Sequence, residues 1–317
     1  MGTPGFAVPS LDILLKNSYN IVGVVTAPDK KAGRGRKMQS SAIKKYAEEK
    51  GLDVYQPAKL KSQDFLNTIK KLNPNLIVVV AFRKLPAEVW QHPEYGTFNL
   101  HASLLPQYRG AAPINWAIIN GETQTGVTSF FIDEKIDTGR IIVQEKTLIK
   151  REETAGSLHD KLMLLGAAAV LKTVDMIRAG QVKTLDQAFL LKEDEKLKQA
   201  PKIFKEDCII NWKNKTQSVY DFIRGLSPHP AAYTFLEAEN GNPLQLKIYG
   251  ARIVESPVDI KPGRIHTDGK NYLQIGTADG AIEITELQLE GRNKVKTEEF
   301  LRGFDIQKYR YIATNRR

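Results

Sequence analysis

The sequence contains a single cysteine, Cys208, among its 317 residues. One cysteine can form neither an internal disulfide nor a zinc site built from several thiolates. A chain without an internal disulfide suits a reducing compartment, and the first residues do not resemble a signal peptide. We therefore expect a cytoplasmic protein in which Cys208, followed by Ile209 and Ile210, packs in a core.

Long apolar runs and several common catalytic motifs are also missing. The most apolar run, Leu76–Ala81, has the length of a buried strand and falls far short of the ~20 residues that a membrane helix needs. The sequence has no HExxH motif and no nucleophile elbow, so covalent or metal-assisted hydrolysis has no support. Gly2–Gly5 lacks the spacing of a dinucleotide fingerprint, so a nicotinamide cofactor has none either. We expect no membrane segment and no metal.

Positive charge is what the sequence has in excess. Lys and Arg number 46 against 36 Asp and Glu, which gives a net charge of +10. Residues 30–45 contain basic side chains and no acidic one, and glycines separate some of the basic residues (Lys30, Lys31, Arg34, Arg36, Lys37, Lys44 and Lys45). A flexible basic loop of this kind can contact phosphates or splayed bases.

The first half of the chain alternates helices with apolar strands. Helices are predicted over 8–16, 41–50, 62–72 and from 154 or 157 to 179, and strands over 21–26, 53–55, 76–80, 125–131 and 140–146. This alternation predicts a doubly wound, mostly parallel α/β sheet of the Rossmann type in residues 1–180. A sheet of this kind normally has a strand before its first turn, whereas this sequence begins at the turn Gly2–Gly5. Either residues before Met1 are missing or the sheet lacks this strand, and we expect the former.

The pattern of predicted secondary structure changes after residue 203. Residues 181–203 are charged and weakly patterned, which is typical of a linker. From there to 317, short strands at 209–212, 232–237, 246–251, 272–276 and 281–289 alternate with Gly, Pro and Asn turns. This pattern predicts a second, small β-barrel domain over 204–317.

The segment Gly96–Pro106 carries the clearest chemical signal. Asn99 and His101 alternate with Phe98 and Leu100, so in a strand the two polar side chains share one face, near its carboxyl end. Asn99 can donate a hydrogen bond, and His101 can exchange a proton near neutral pH. Asp137, in a tight loop between two predicted strands, is the candidate carboxylate that would hold His101 protonated. Together the three can stabilise an oxyanion and move protons during attack on an acyl carbon.

The residues Asn99–Pro106, Tyr108–Pro113 and Asp137–Gly139 together resemble the folate-dependent formyltransferases. That resemblance implies a site in which Asn99, His101 and Asp137 transfer a formyl group from 10-formyltetrahydrofolate, a co-substrate, to an amine without a metal. It also implies that Ser103, Leu104, Leu105 and Pro106 line the tetrahydrofolate site.

Three further stretches resemble the family of methionyl-tRNA formyltransferases. They are Gly2–Ala7, Ala27–Asp29 leading into the basic loop 32–37, and the β domain with Leu226–Pro230. The resemblance implies that the loop, with Arg34, Arg36 and Lys37, enters the tRNA acceptor stem, and that the C-terminal domain resembles an OB fold. The amine would then be that of initiator methionyl-tRNA, and we expect a monomer.

Two alternatives remain open at this point. Enzymes that formylate an amino-sugar nucleotide share the Asn-His-Asp site, but typically lack the basic loop at 32–37. A non-catalytic RNA-binding protein that kept the fold is the other alternative, against which the intact Asn99, His101 and Asp137 argue.

Overall fold

The computed structural model describes residues 1–32, 37–191, 196–238, 243–255 and 259–313, and within these ranges all side chains except those of residues 31, 32, 37, 238 and 310–313. The chain divides into two compact units. The first comprises Met1–Pro113, Gln124–Thr147 and His159–Ala200, and the second comprises Ile114–Thr123, Leu148–Leu158 and Pro201–Arg317. Domain boundaries at 1–180, 181–203 and 204–317 stay a prediction.

The helices of the described residues are α1 (Val8–Lys16), α2 (Ala42–Glu49), α3 (Gln63–Leu72), α4 (Ala87–Trp90), α5 (Pro113–Ile119), α6 (Ala155–Arg178), α7 (Thr216–Leu226) and α8 (Thr297–Gly303). Local sequence signals fix several of their ends. The hydroxyl of Ser41 accepts a hydrogen bond from the backbone N–H of Lys44 at 3.3 Å and so caps the N-terminus of α2. α3 ends at Asn73, which takes the left-handed conformation that asparagine tolerates.

The strands range from two to ten residues in length. They are β1 (Val24–Val25), β2 (Lys30–Ala32), β3 (Lys37–Gln39), β4 (Val54–Tyr55), β5 (Ile77–Val80), β6 (Thr97–His101), β7 (Arg109–Gly110), β8 (Gln124–Phe131), β9 (Ile141–Leu148), β10 (Gln199–Ala200), β11 (Ala232–Ala238), β12 (Leu244–Ile253), β13 (Ile265–Thr267), β14 (Leu273–Gly276), β15 (Ala281–Leu289), β16 (Val295–Lys296) and β17 (Tyr309–Ala313).

The first unit is built around a sheet in the order β5-β6-β8-β9 and a parallel pair β1-β4. β5 and β6 are parallel and β6 and β8 are antiparallel, so β6 has a neighbour on each side. Apolar side chains of β1, α3 and β5 form a core cluster, which explains the continuous apolar run of β5 and the apolar face of α3. The carboxyl end of β6 therefore lies inside the sheet, where open α/β sheets place their sites.

The first two residues occupy the place between the two parts of this sheet. The N–H of Gly2 donates to the Val25 carbonyl at 3.0 Å, and the N–H of Val80 donates to the Met1 carbonyl at 2.9 Å. Gly2 and Val80 form a parallel bridge, and a Cβ atom at Gly2 would lie 2.8 Å from the Val80 carbonyl oxygen. Met1 and Gly2 thus stand where the sequence pattern calls for a first strand.

The second unit is a curled antiparallel sheet with a helix against it. Its strands follow the order β13-β14-β15-β12-β11-β17, and β16 pairs with β15. Register shifts between β12 and β15 at Ile248–Ala251 bend the sheet, as bulges do. Trp212 is fully buried in the core of this unit, and α7 contributes Val219, Ile223 and Leu226 to the same core.

Several features of the second unit differ from the sequence prediction. The strand predicted over 209–212 is wrong: Cys208 ends a short 3₁₀ turn, and only Ile209 makes a bridge, to Tyr233. The side-chain oxygen of Asn211 accepts the N–H of Lys213 at 3.1 Å, and this local turn replaces the strand. The helix α7 was not anticipated. The predicted fold class, a mostly parallel Rossmann-like sheet with a small antiparallel OB-like domain, is confirmed.

Candidate functional site

The end of β6 supplies two of the three predicted catalytic side chains. In the strand, Phe98 and Leu100 are buried, and Asn99 and His101 point to the opposite face. His101 is paired with Thr128 across the antiparallel β6–β8 ladder. The alternation of the sequence therefore brings Asn99 and His101 to one face at the carboxyl end of the strand.

Asp137 reaches the same place from the loop between β8 and β9. It has a positive φ of 57°, a conformation that aspartate tolerates better than most residues. The Thr138 hydroxyl donates to the Asp133 carboxylate at 2.8 Å, which fixes the loop from inside. Gly139 is required because a Cβ atom there would lie 1.7 Å from the Phe131 carbonyl oxygen. The sequence Asp-Thr-Gly is thus determined by the turn as well as by chemistry.

The imidazole of His101 lies between a carbonyl and a carboxylate. Its Nε2 is 2.8 Å from the Tyr108 carbonyl oxygen, so Nε2 carries the hydrogen of this bond. Its Nδ1 is 3.9 Å from Oδ2 of Asp137, and the two side chains are only 8% and 13% exposed. The same Oδ2 accepts the backbone N–H of Gly110 at 3.0 Å. Nδ1 is therefore the nitrogen left to exchange a proton, and a carboxylate stands close to it.

The side chain of Asn99 is half-buried and, unlike those of its neighbours, has no hydrogen-bond partner in the part of the chain that the structure describes. Among the residues that the structure describes, no side chain or backbone group forms a hydrogen bond with its amide. A buried amide normally finds a partner in the protein, so this one has its donors and acceptor available for a ligand.

The segment Ser103–Pro106 is held mostly through hydrogen bonds to its backbone groups. The Thr128 hydroxyl donates to the Ser103 carbonyl at 2.7 Å and accepts the Leu105 N–H at 3.1 Å. The Ser103 hydroxyl donates to the Gln107 carbonyl at 2.7 Å, and Leu105 is buried. Ser103, Leu105 and Pro106 therefore point into the protein, whereas Leu104 is half-buried. A flat ligand at this segment would meet the backbone and Leu104.

The predicted tRNA-binding residues fall largely outside the described part of the chain. Arg34 and Arg36 lie outside the described residues, and so does the side chain of Lys37, whose backbone belongs to β3. β2 and β3 form an antiparallel pair with Ala32 opposite Lys37, so the segment between them starts and ends at adjacent points.

The base of this hairpin is tied to the first unit through Asp29. Its carboxylate accepts hydrogen bonds from Lys44 Nζ at 2.7 Å, Gln56 Nε2 at 2.8 Å and the Ser40 hydroxyl at 3.1 Å. The bond from Lys44, followed by that from Gln56, holds the pKa of Asp29 below its ordinary value. A charged anchor therefore fixes both ends of the basic segment.

Sequence reasoning missed the groups that hold the site together. The Tyr108 carbonyl, the Gly110 N–H, the Thr128 hydroxyl and the Gln187 side chain all contact predicted site residues or their loops. The first two are backbone groups, and Gln187 stands in a weakly patterned stretch. No periodicity or motif marks them.

Two features of the described residues concern the cofactor and membrane predictions. No group of three or more His, Cys, Asp or Glu side chains in the described ranges is arranged to hold a metal ion. Among the helices that the structure describes, none combines the length and the apolar character needed to span a bilayer.

The chain matches family models along most of its length. The formyl transferase model matches residues 1–174, and the model for the formyl transferase C-terminal domain matches residues 202–305. Proteins named methionyl-tRNA formyltransferase are similar over nearly the whole chain. The one from Bacteroides fragilis is 49% identical over 96% of this chain and 94% of its own length. The one from Flavobacterium psychrophilum is 48% identical over 98% of this chain and 97% of its own length.

Solved structures share the fold at lower identity. An N-formyltransferase from Helicobacter canadensis, in complex with folinic acid and dTDP-3-aminofucose, has a TM-score of 0.61 and 22% identity over 93% of this chain and 97% of its own. HypX from Aquifex aeolicus, in complex with tetrahydrofolic acid, has a TM-score of 0.58 and 22% identity over 80% of this chain and 43% of its own. At this identity the likeness concerns the fold alone. On the family models and the curated relatives, the chain belongs to the formyl transferase family.

Proposed function

We propose that this protein is an enzyme that transfers the formyl group of 10-formyltetrahydrofolate to the α-amine of initiator methionyl-tRNA. It acts as a monomer in the cytoplasm. The names of the relatives that match over nearly the whole chain support this substrate. The observation that carries the reaction is the partnerless amide of Asn99 beside the pair His101–Asp137.

The side chains divide the work as follows. Asn99 donates its amide N–H to the formyl oxygen, on which negative charge develops as the amine attacks. His101, fixed through Nε2 by the Tyr108 carbonyl, presents Nδ1–H to the same region. Asp137, fixed by the Gly110 N–H, faces Nδ1 and orients the imidazole.

The proton balance follows from these positions. A C–N bond forms between the amine and the formyl carbon, and the bond from that carbon to N10 breaks. The amine loses one proton and N10 gains one, so the reaction needs a group that relays a proton from the amine to N10 over a short distance. Asp137 and His101 Nδ1 are the pair placed to do so. The formyl donor supplies an already activated acyl group, and the protein mainly positions both reactants.

The segment Ser103–Pro106 contributes the donor site. Its backbone is rigidly held by Thr128, and only Leu104 of its side chains is not buried. The basic segment between β2 and β3, with Arg34, Arg36 and Lys37, contacts the tRNA acceptor stem.

The direct test offers the purified protein two acceptors with 10-formyltetrahydrofolate as the donor. Formylation of methionyl-tRNA is expected. Transfer to an amino-sugar nucleotide and not to methionyl-tRNA would overturn the acceptor assignment. Binding of tRNA without any transfer would indicate a non-catalytic RNA-binding protein.

A pair of histidine variants tests the site. His101→Ala should lower kcat by about 10²- to 10⁴-fold, since a proton-transferring side chain contributes that much. His159→Ala is the matched control, because the His159 side chain is 41% exposed on α6. Equal activity of the two variants would refute the proposed role of His101.

Charge in the basic segment is tested by the salt dependence of binding. Arg34→Ala together with Arg36→Ala should weaken tRNA binding and flatten its dependence on salt, because fewer counterions are released. An unchanged slope would refute their contact with phosphates.

A further inference from the structure

Gln187 is a buried polar side chain in the stretch that follows the catalytic sheet. It lies in the 3₁₀ turn Gln187–Leu190 and is only 2% exposed. Its Nε2 donates to the carbonyl of Asp137 at 3.0 Å and to the carbonyl of Gly139 at 2.8 Å. Its Oε1 accepts from the Arg109 guanidinium, from Nε at 3.1 Å and from the second nitrogen at 2.6 Å. Both ends of the amide are therefore fully used.

The partners of Gln187 are the two segments that hold Asp137. The carbonyls belong to the loop that carries Asp137, and Arg109 directly precedes Gly110, whose N–H donates to the Asp137 carboxylate. A closed ring therefore runs from the Asp137 backbone through Gln187, Arg109 and Gly110 back to the Asp137 side chain. A ring of this kind fixes both the position and the rotation of the carboxylate.

The surrounding chain supports the ring. Leu185, two residues before Gln187, forms an antiparallel bridge with Ile141, which follows the Asp137 loop. Farther along, β10 pairs in parallel with β7, the strand that contains Arg109 and Gly110. Residues 185–187 and 199–200 are thus bound to both halves of the site, and Gln187 provides the contact with Asp137.

The Gln187 amide makes all of its hydrogen bonds to the loop that carries Asp137 and to the side chain of Arg109. The two meet at Asp137, because Gly110, next to Arg109, donates to its carboxylate. The left-handed backbone of Asp137 carries a conformational cost for a residue other than glycine, so it needs an outside contact to persist. The Gln187 amide supplies that contact at the Asp137 carbonyl.

We propose that Gln187 is a positioning residue for formyl transfer, which acts by holding Asp137 at the distance and angle that His101 requires. This inference rests on the proposed function, because it assigns Asp137 a part in the reaction. Gln187 does not touch the substrate, so its loss should lower kcat and leave the KM for both substrates unchanged.

The main variant is Gln187→Glu, which keeps the size of the side chain and the oxygen that faces Arg109. It replaces the NH₂ group with an oxygen that faces the carbonyls of Asp137 and Gly139. We expect kcat to fall by about 100-fold, as for a misplacement of about 1 Å at a reacting group. Gln181→Glu makes the same chemical change at an exposed position shortly before it and should not change kcat.

A double-mutant cycle separates positioning from general damage. In an Asp137→Asn background, Gln187→Glu should cause no further loss of kcat, because Gln187 acts through Asp137. An equal fold-loss in both backgrounds, a loss confined to KM, or no loss at all would overturn the inference.

Hydrogen exchange provides a readout that does not depend on activity. Gln187→Glu should speed amide exchange in the peptides that contain Gly110 and Asp137, and Gln181→Glu should not. Unchanged exchange in those peptides would also overturn the inference. If the wild-type protein transfers no formyl group, the proposed function fails. The exchange measurement would still show whether Gln187 holds the segments that contain Gly110 and Asp137. If Gln187→Glu does not fold, Gln187→Met is measured against the same criteria.

Discussion

The hydroxyl of Thr128 holds the Ser103–Pro106 segment beside the strand β6. It donates to the Ser103 carbonyl at 2.7 Å, accepts the Leu105 N–H at 3.1 Å and accepts Gln144 Nε2 at 3.2 Å. Thr128 is completely buried, and water cannot replace these bonds. The change Thr128→Val keeps the shape of the side chain and removes all three bonds.

The size of the expected loss follows from the groups left behind. The Leu105 N–H and the Ser103 carbonyl lose this partner, and a buried unpaired group costs about 1–3 kcal/mol, or about 4 kcal/mol for two. Gln144 Nε2 keeps its bond to the Leu105 carbonyl, at 2.6 Å, and adds little. The new methyl group returns about 0.8 kcal/mol. The free energy of unfolding of the first unit should therefore fall by about 3 kcal/mol.

Differential scanning calorimetry measures this loss. For a unit of this size, about 1 kcal/mol shifts Tm by ~2–4 °C, so Tm should fall by about 6–12 °C. Thr68→Val is the control, because the Thr68 hydroxyl makes one bond, to the Asp64 carbonyl at 2.8 Å on α3. A loss no larger than that of the control would refute the role given to Thr128.

The same variant tests the proposed donor site. Freed from Thr128, the Ser103–Pro106 backbone should bind the formyl donor more weakly, so the KM for 10-formyltetrahydrofolate should rise. The KM for methionyl-tRNA should stay the same. A stability loss with unchanged KM for the donor would refute the contact between this segment and the folate.

Three further predictions concern the second unit. Arg224→Met breaks the buried pair with Asp221, joined at 2.7 Å, and should lower the free energy of unfolding by about 3–5 kcal/mol. Arg252→Met removes a largely exposed arginine from its pair with Glu283 and should cost about 0–1 kcal/mol. Equal costs would contradict the burial argument. Burial raises the pKa of the Cys208 thiol to about 11 from 9.0. The native protein should therefore resist alkylation at pH 8, and its free energy of unfolding should fall as the pH rises from 9.0 toward 11. Rapid labelling of the native protein would contradict this. Hydrogen bonds from the backbone N–H groups of Asn271 and Lys270 lower the pKa of Asp268 from 3.8. Asp268→Ala should therefore destabilise the protein at neutral pH, and the difference in unfolding free energy between variant and wild type should disappear as the pH falls below 3.8. A difference that does not change with pH would contradict this.

Local patterns in the sequence predicted the main helices and strands of the first unit, but not α4, the β2–β3 pair or the β7–β10 pair. The helix predicted over 8–16 is present at those residues, and the predicted strands coincide with parts of the sheet. The alternation around Asn99 and His101 sets the face of β6 on which both lie, because side chains alternate along a strand. The turn Asp137–Gly139 was also visible, since only glycine fits at its end.

The second unit shows where local reasoning failed. The apolar residues at 209–212 were compatible with a strand, but the side-chain oxygen of Asn211 and a backbone turn gave that segment other partners. The helix α7 was missed although Val219, Ile223 and Leu226 recur at the i, i+4, i+7 spacing of an amphipathic helix; these residues pack in the core around Trp212. Short apolar segments do not decide between strand, turn and helix without their tertiary partners.

The sequence by itself determined the fold class and the chemical type of the site, since both follow from periodicity and from motifs a few residues long. Only the tertiary structure decided how the candidate side chains are held. Gln187 and Arg109 stand 78 residues apart, and the Gly110 N–H reaches a carboxylate 27 residues away. Hydrogen bonds between such distant residues, several of them to backbone groups, leave no periodic trace in the sequence because any residue can supply a carbonyl or an N–H.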